Sequence, residues 1–241
     1  VYFTAPSDSA PLVRGLNFDE SCLVADASAH NDTITYWVTD TALIHRQDTL
    51  AFAYTYQETD TLGHLVTTTD TLELSPKKTY AKIAAERDKQ AEAWQKDRER
   101  RQRKAKKPLP HEENPYTRVW LEAGFKPSSL LDPNQNIRYQ AKEPIRDVDS
   151  TRLHFYVQRD TSWLPAPYLF LPNGHTVSSY TLYAEWEPGR KYRLVMDTAA
   201  VVSVLGRESK YVKQEFRVRA LEEYGSIFIH VIAQDTGVVV Q

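Results

Sequence analysis

The sequence predicts a mainly β protein in which two antiparallel β-sandwich regions flank one long charged α-helix. Three observations predict it. Period-two alternation of apolar and polar residues recurs between residues 12 and 75 and again beyond 116. Fourteen Tyr and five Trp against one Met favour pleated surfaces, on which amphipathic aromatics pack well. Only residues 75–107 carry a long helical pattern. With 241 residues, 41% of them hydrophobic, the chain can build a core in both β regions. The expected division is a polar lead at 1–11, a β region at 12–75, a basic helix at 76–107, a proline linker at 108–115 and a second β region at 116–241.

After the lead, residues 12–18 read as a first strand and 22–25 as the start of a second. Ile34, Tyr36 and Val38 then alternate with Thr33, Thr35 and Trp37, and Leu50, Phe52, Tyr54 and Tyr56 with Ala51, Ala53 and Thr55; residues 65–74 form a further run. Asp-Thr pairs begin at 32, 40, 48, 60 and 70. Both side chains bond their own nearby backbone, so each pair is expected to open a strand after a turn, with Thr59-Asp60-Thr61-Leu62-Gly63 as a hairpin tip. Five strands are few for a closed sandwich, which leads us to expect further sequence before Val1. The start, VYFTAPSDSAP, lacks the charged and apolar regions of a signal peptide. The single Cys22, between apolar neighbours in FDESCLVAD, is expected to be a buried structural thiol.

In the helical run, Ser75 is expected to cap the first turn, Pro76 to take the first helical position, and Lys107-Pro108-Leu109-Pro110 to end the helix. Tyr80, Ile83, Ala84, Ala91 and Trp94 share one face, which is expected to lie on a β surface; Trp94→Ala would then cost roughly 3 to 5 kcal/mol. From 96 to 107 there are eight basic and two acidic residues. Glu92 with Lys96, Asp97 with Arg101 and Glu99 with Arg103 are spaced i, i+4 in the favourable order. The run reads either as a solvated strut between the β regions or as a contact for an anionic partner, an acidic protein or a phosphorylated lipid head group. Lys96, Arg98, Arg100, Arg101, Arg103 and Lys104 are the candidate partner-binding residues. Nucleic acid is not expected, because no aromatics interleave with the basic run and the rest of the chain is acidic. No apolar run reaches the ~18 residues of a membrane span.

Beyond the prolines, residues 116–121, 136–141, 153–157, 180–186, 192–196, 212–218, 227–232 and 238–240 are the candidate strands. The cleanest is 212–218, with Val212, Gln214, Phe216 and Val218 alternating with Lys213, Glu215 and Arg217. Turn chemistry separates them at Asp132-Pro133-Asn134, Pro172-Asn173-Gly174, Pro188-Gly189 and Asp235-Thr236-Gly237.

Four segments carry a resemblance: Asn136-Ile137-Arg138-Tyr139, Glu143-Pro144-Ile145-Arg146-Asp147-Val148-Asp149, Trp186-Glu187-Pro188-Gly189-Arg190-Lys191-Tyr192-Arg193-Leu194, and residues 200–206. In these, residues 125–219 resemble the bacterial immunoglobulin-like domains of Bacteroidetes envelope proteins. The Asp-Thr-rich region at 32–74 resembles a neighbouring module of the same multidomain lipoproteins. The resemblance implies immunoglobulin-like sandwiches, a Pro-Ile turn at Pro144-Ile145, and a hairpin at Pro188-Gly189 feeding the strand of Tyr192. It also implies a non-catalytic scaffold or subunit of a surface or outer-membrane assembly, in the periplasm or at the cell surface, with any membrane anchor outside this segment.

Catalytic chemistry finds no support in the residues. The seven histidines never fall at a ligand spacing such as H-x-x-x-H, and neither G-x-S-x-G nor a phosphate-cradling glycine loop occurs. No enzyme activity and no cofactor are expected. Asp132, Asp147 and Asp149 offer calcium its hard oxygens, but no repeat gathers them around one point. Trp163, Tyr168, Phe170 and Tyr180 form the alternative site, that of a glycan-binding accessory module; the plainer reading is that they cover a sandwich edge. The resemblance adds an acceptor pattern for O-glycosylation: Asp, then Ser or Thr, then a small aliphatic residue or Thr. Among its matches Ser9, Thr61 and Ser150 sit where a bulky glycan fits, in the lead, at the hairpin tip and in a turn.

Overall fold

The computed structural model describes residues 1–226 apart from 48, 106, 108, 109, 111, 127, 128 and 175. The expected strands at 227–232 and 238–240, the turn at 235–237, and Pro108, His111, His175 and His230 lie outside the described residues. The chain is mainly β, with several antiparallel sheets and one long helix.

In the first β unit, β1 (Leu12–Gly15), β4 (Leu50–Thr59) and β5 (Leu65–Leu74) form a sheet in the order β1-β4-β5, and β2 (Leu23–Ala27) pairs antiparallel with β3 (Ile34–Val38). Among the described residues Ile34, Leu43, Phe52 and Tyr54 are buried in it. Phe3 stacks on Tyr54 at 5.9 Å, Tyr36 meets Tyr54 edge-on at 6.2 Å, and Phe18 meets Phe52 edge-on at 5.2 Å. The hairpin tip falls at 60–64, one residue beyond the expected 59–63. The Asp60 carboxylate accepts from the amides of Leu62 and His64, both at 2.8 Å, and Gly63 takes φ +86°. These amides, His64's first, hold the Asp60 carboxyl below its ordinary range.

Not every Asp-Thr pair opens a strand. Asp40 caps a short helix, α1 (Thr41–Arg46), accepting from Ala42 and Leu43 amides, because an Asp ahead of free N–H groups satisfies a helix start as readily as a turn. Asp70 lies within β5 and accepts from the Tyr56 hydroxyl at 2.8 Å. Cys22 is half-buried rather than buried; burial, then the carboxylates of Asp40 and Asp19, push its thiol pKa up.

The long helix, α2, spans Tyr80–Lys104. Thr79, not Ser75, is its N-cap, and Pro76 stays outside; Lys78 reaches from the lead-in to Glu86 at 2.8 Å. No residue of α2 is buried. The expected β surface under its apolar face is absent among the described residues. Instead Pro110, Glu112 and Asn114 lie back along the helix: Asn114 Nδ2 donates to the Ala91 carbonyl (3.0 Å), Glu112 approaches Arg101 (3.7 Å), and Arg98 donates to the Pro110 carbonyl (3.4 Å). Beyond its C-cap at Ala105 the chain thus comes back onto the helix. Trp94 is half-buried, with Arg98 over its ring at 5.5 Å. Half the burial means a smaller loss, so Trp94→Ala is now expected to cost only about 1 kcal/mol, measured as the shift of the thermal melt.

The helix is therefore an arm rather than a strut. The β units it separates in sequence approach one another directly: Ser178 Oγ lies 3.4 Å from Asp26 Oδ2, and residues 25–27 share a shallow cleft with Ile145, Pro172, Thr176 and Tyr180.

The second unit has two main sheets. One holds β7 (Leu130–Leu131), β10 (Leu153–Arg159), β11 (Ser162–Pro165), β14 (Lys191–Met196) and β16 (Val212–Val218) in the order β11-β10-β14-β16-β7. The other holds β6 (Ala123–Phe125), β8 (Ile137–Ala141), β12 (Leu169–Pro172) and β13 (Ser179–Tyr183) in the order β12-β13-β8-β6. A pair of β9 (Ile145–Val148) and β15 (Val201–Ser203) adjoins them. One apolar cluster joins the sheets: Phe155, Tyr192, Leu194 and Phe216 from the first, Ile137, Tyr139 and Leu182 from the second.

Two expectations fail here. Residues 116–121 make a turn and an extended lead, not a strand; Leu121 is tied by its amide to the Glu208 carbonyl, a single tether with no ladder. The Pro188-Gly189 turn is no hairpin, since β13 and β14 belong to different sheets. It carries the chain across the core, with Gly189 at φ +79°.

Candidate functional site

The arm's charged end has two sides. The helical angle of 100° per residue places Ala91, Trp94, Arg98 and Arg101 towards the returning segment, and Arg103, nine residues past Trp94, opposite it. Lys96, Arg100 and Arg103 thus form an outward stripe, with Lys104 at its side. Their counter-ions are loose: Lys96 to Glu92 is 4.0 Å and Arg100 to Asp97 is 3.5 Å, with the Lys96 and Arg100 side chains 79% and 71% exposed. Arg101 is better held, 3.1 Å from Asp97 and 3.7 Å from Glu112. Of the expected i, i+4 pairs, Glu92–Lys96 and Asp97–Arg101 form; Glu99 with Arg103 does not appear among the described residues. The six candidates are thus divided, with Arg98 and Arg101 committed to the return segment and the other four facing water.

The four aromatic candidates do not form one patch. Phe170 and Tyr180 stack at 5.1 Å, and Phe170 also meets Tyr139 and Phe125, as part of the packing against the core. Tyr168 packs on Phe155 and donates its hydroxyl to the Leu153 carbonyl at 2.6 Å. Trp163 stands apart on β11, its ring covered by the Arg193 guanidinium at 4.0 Å. Ser9, Thr61 and Ser150 are all exposed. Ser150 begins a single 3-10 turn capped by Asp149, whose carboxylate takes the Thr151 hydroxyl and amide and is thereby held below its usual range. No group of His, Cys, Asp and Glu able to hold a metal occurs among the described residues. No described helix is long and apolar enough to cross a membrane.

Two features escaped the sequence reading. Glu143, 4% exposed, pairs with Arg207 across 64 residues, a contact that only the fold creates. The other is the distribution of charge. Residues 1–75 carry eleven acidic and two basic side chains, net −9; residues 76–107 carry thirteen basic and five acidic, net +8; the remainder, with fifteen basic and sixteen acidic, is near neutral. Counting by structural unit rather than by basic run would have found it.

No protein-family model matches the chain, and no curated protein does either. Among solved structures it is similar to the N-terminal part of the bacterial S-layer protein SbsC, at a TM-score of 0.28 and 13% identity, over 40% of this chain and 23% of that one. The chain thus spans less than a quarter of that structure's length, and a likeness of this size carries no argument about fold or function.

Proposed function

We propose that this chain is a non-catalytic interaction protein of the bacterial cell envelope, a scaffold or subunit of a surface or outer-membrane assembly built on immunoglobulin-like sandwiches of the Bacteroidetes type. The observation that carries the interaction role is the arm: 25 helical residues, none buried, ending in cations whose counter-ions are loose. Such an element contributes little to either core, so its role is sought in what it meets. The immunoglobulin-like reading is supported by Tyr192, near the start of β14, whose hydroxyl takes the Glu187 amide at 2.8 Å and faces the Glu185 carbonyl at 3.3 Å. A tyrosine bonded back to backbone a few residues upstream is a corner device of that fold class. A periplasmic or surface location goes with this reading and is where Ser9, Thr61 and Ser150 would meet a glycosylation system.

The test is capture from native membranes with the chain as bait. The variant R100Q/R101Q/R103Q/K104Q is expected to lose the captured partner with its melting temperature nearly unchanged, because exposed ion pairs contribute little stability. Capture that survives the four substitutions would remove the arm from the interaction; a large drop in melting temperature would mean that the arm belongs to the packed structure.

A further inference from the structure

We propose that the arm's partner is a second copy of this chain, the outward basic stripe of α2 in one copy docking on the acidic β4–β5 hairpin of the next. This rests on the interaction role proposed above and names its occupant. Three observations favour a second copy over other anionic surfaces. The charges match in magnitude within one sequence, −9 on the first β unit and +8 on the helical segment. They are not spent on each other: among the described residues every ion pair of an α2 cation stays within residues 78–112. The outward stripe of Lys96, Arg100 and Arg103 is also exposed, on the side of α2 opposite the returning segment, and so open to another molecule.

The acidic surface has a definite shape. Beyond the reach of β1, which pairs only with residues 52–55 of β4, the hairpin continues to its tip at 60–64 as a two-stranded ribbon. On its core-side face Glu58, Tyr56 and Asp70 follow one another, and their exposed carboxylates are held by hydroxyls rather than cations: Thr68 bonds Glu58 at 3.3 Å and Tyr56 bonds Asp70 at 2.8 Å. Glu58 and Asp70 are offset by four strand residues, about 13 Å. Lys96 and Arg103 are seven helical residues apart, about 11 Å. Two rows of similar length and opposite sign can lie along one another. Because the arm of one copy meets the hairpin of another, the contact is heterologous and can continue from copy to copy.

Sedimentation velocity of the 241-residue chain tests this at ~10 mM and ~500 mM salt, since charge attraction acts over roughly 30 Å at 0.01 M and is screened at high salt. The expected result at low salt is a concentration-dependent mass above 27.7 kDa that returns to the monomer at high salt. The variants K96E/R100E/R103E and E58K/D70K should each remain monomeric at low salt, and their equimolar mixture should associate, because each reversed surface then meets its complement on the other variant. Should a reversal fail to fold by circular dichroism, the neutral variants K96Q/R100Q/R103Q and E58Q/D70N, each expected to abolish association, take its place. A wild-type chain that is monomeric at low salt, association that survives either substitution set, or a mixture of folded reversal variants that stays monomeric would overturn the proposal. Monomeric behaviour together with successful capture from native membranes would reject self-contact and leave the envelope-partner role standing. Binding of the monomer to vesicles of acidic phospholipid would assign the stripe to a membrane instead.

Discussion

Tyr192→Ala is expected to lower the stability of the larger β unit by about 3 to 5 kcal/mol, the usual cost of emptying an aromatic site in a packed core. Against a total stability on the order of 5 to 15 kcal/mol, such a loss brings the unit close to unfolding. Tyr192 is 1% exposed. Its ring is stacked between Phe155, centroids 5.4 Å apart, and Phe216, 5.9 Å, with Trp186 edge-on at 5.3 Å. Alanine removes the ring that all three touch. Phenylalanine keeps the stack but leaves the Glu187 amide without its acceptor, a loss of about 1 to 3 kcal/mol. Burial pushes the Tyr192 phenol up, so it stays protonated at neutral pH and the difference between the two variants reports the hydroxyl's bonds. Urea unfolding followed by tryptophan emission measures both. Equal losses for the two substitutions would mean that the stacked ring contributes nothing beyond its hydroxyl.

The second large effect is expected at Arg207. Glu143 accepts from its Nη1 with one carboxylate oxygen, and the other oxygen has no partner among the described residues. The same two turns are tied by the Val204 amide to the Pro144 carbonyl at 3.0 Å, and within its own turn the Arg207 amide donates to Ser203 Oγ at 3.2 Å. Arg207→Ala would leave Glu143 buried and uncompensated. The expected cost is about 3 kcal/mol, at the low end for a broken buried pair because Arg207 itself is 40% exposed. The double variant E143L/R207M should recover most of that loss, since an apolar pair of similar volume has no charge to desolvate. Chemical denaturation decides it: a double variant no more stable than Arg207→Ala would show that the ion pair's attraction, not the stranded charge, sets the cost.

Strands that alternate cleanly over five or more residues were legible from their residues alone. β3, β5 and β16 fall where the alternation of Ile34 to Val38, the run 65–74 and the alternation of Val212 to Val218 place them. Short strands were not: β7, β9, β11, β12 and β15 have two to four residues each, too few to show a period, and exist because a neighbouring strand supplies the hydrogen bonds. The helix was legible as a helix, but its packing was not. The apolar stripe of Tyr80 to Trp94 leads one to expect a covered face; Tyr80 and Ile83 are exposed instead, and the returning segment meets the helix from Ala91 onwards. The basic stripe was visible as a run, yet which cations point outward depended on where that segment lies. The Glu143–Arg207 pair joins distant turns and has no local signature.

The reversal of the chain along α2 has a consequence for reach. A 25-residue helix extends about 38 Å, and a strut of that length would hold its two neighbours apart by as much. By Asn114, however, the chain is back beside Ala91, about 17 Å from the start of the helix. The seven residues from there to Leu121, where the second β unit's core begins, span at most about 25 Å. The excursion beyond Ala91, out and back, therefore adds contour length without net displacement. In its path through space the arm is an insertion at a junction: its length can change, turn by helical turn with a matching return, without moving the β units it interrupts.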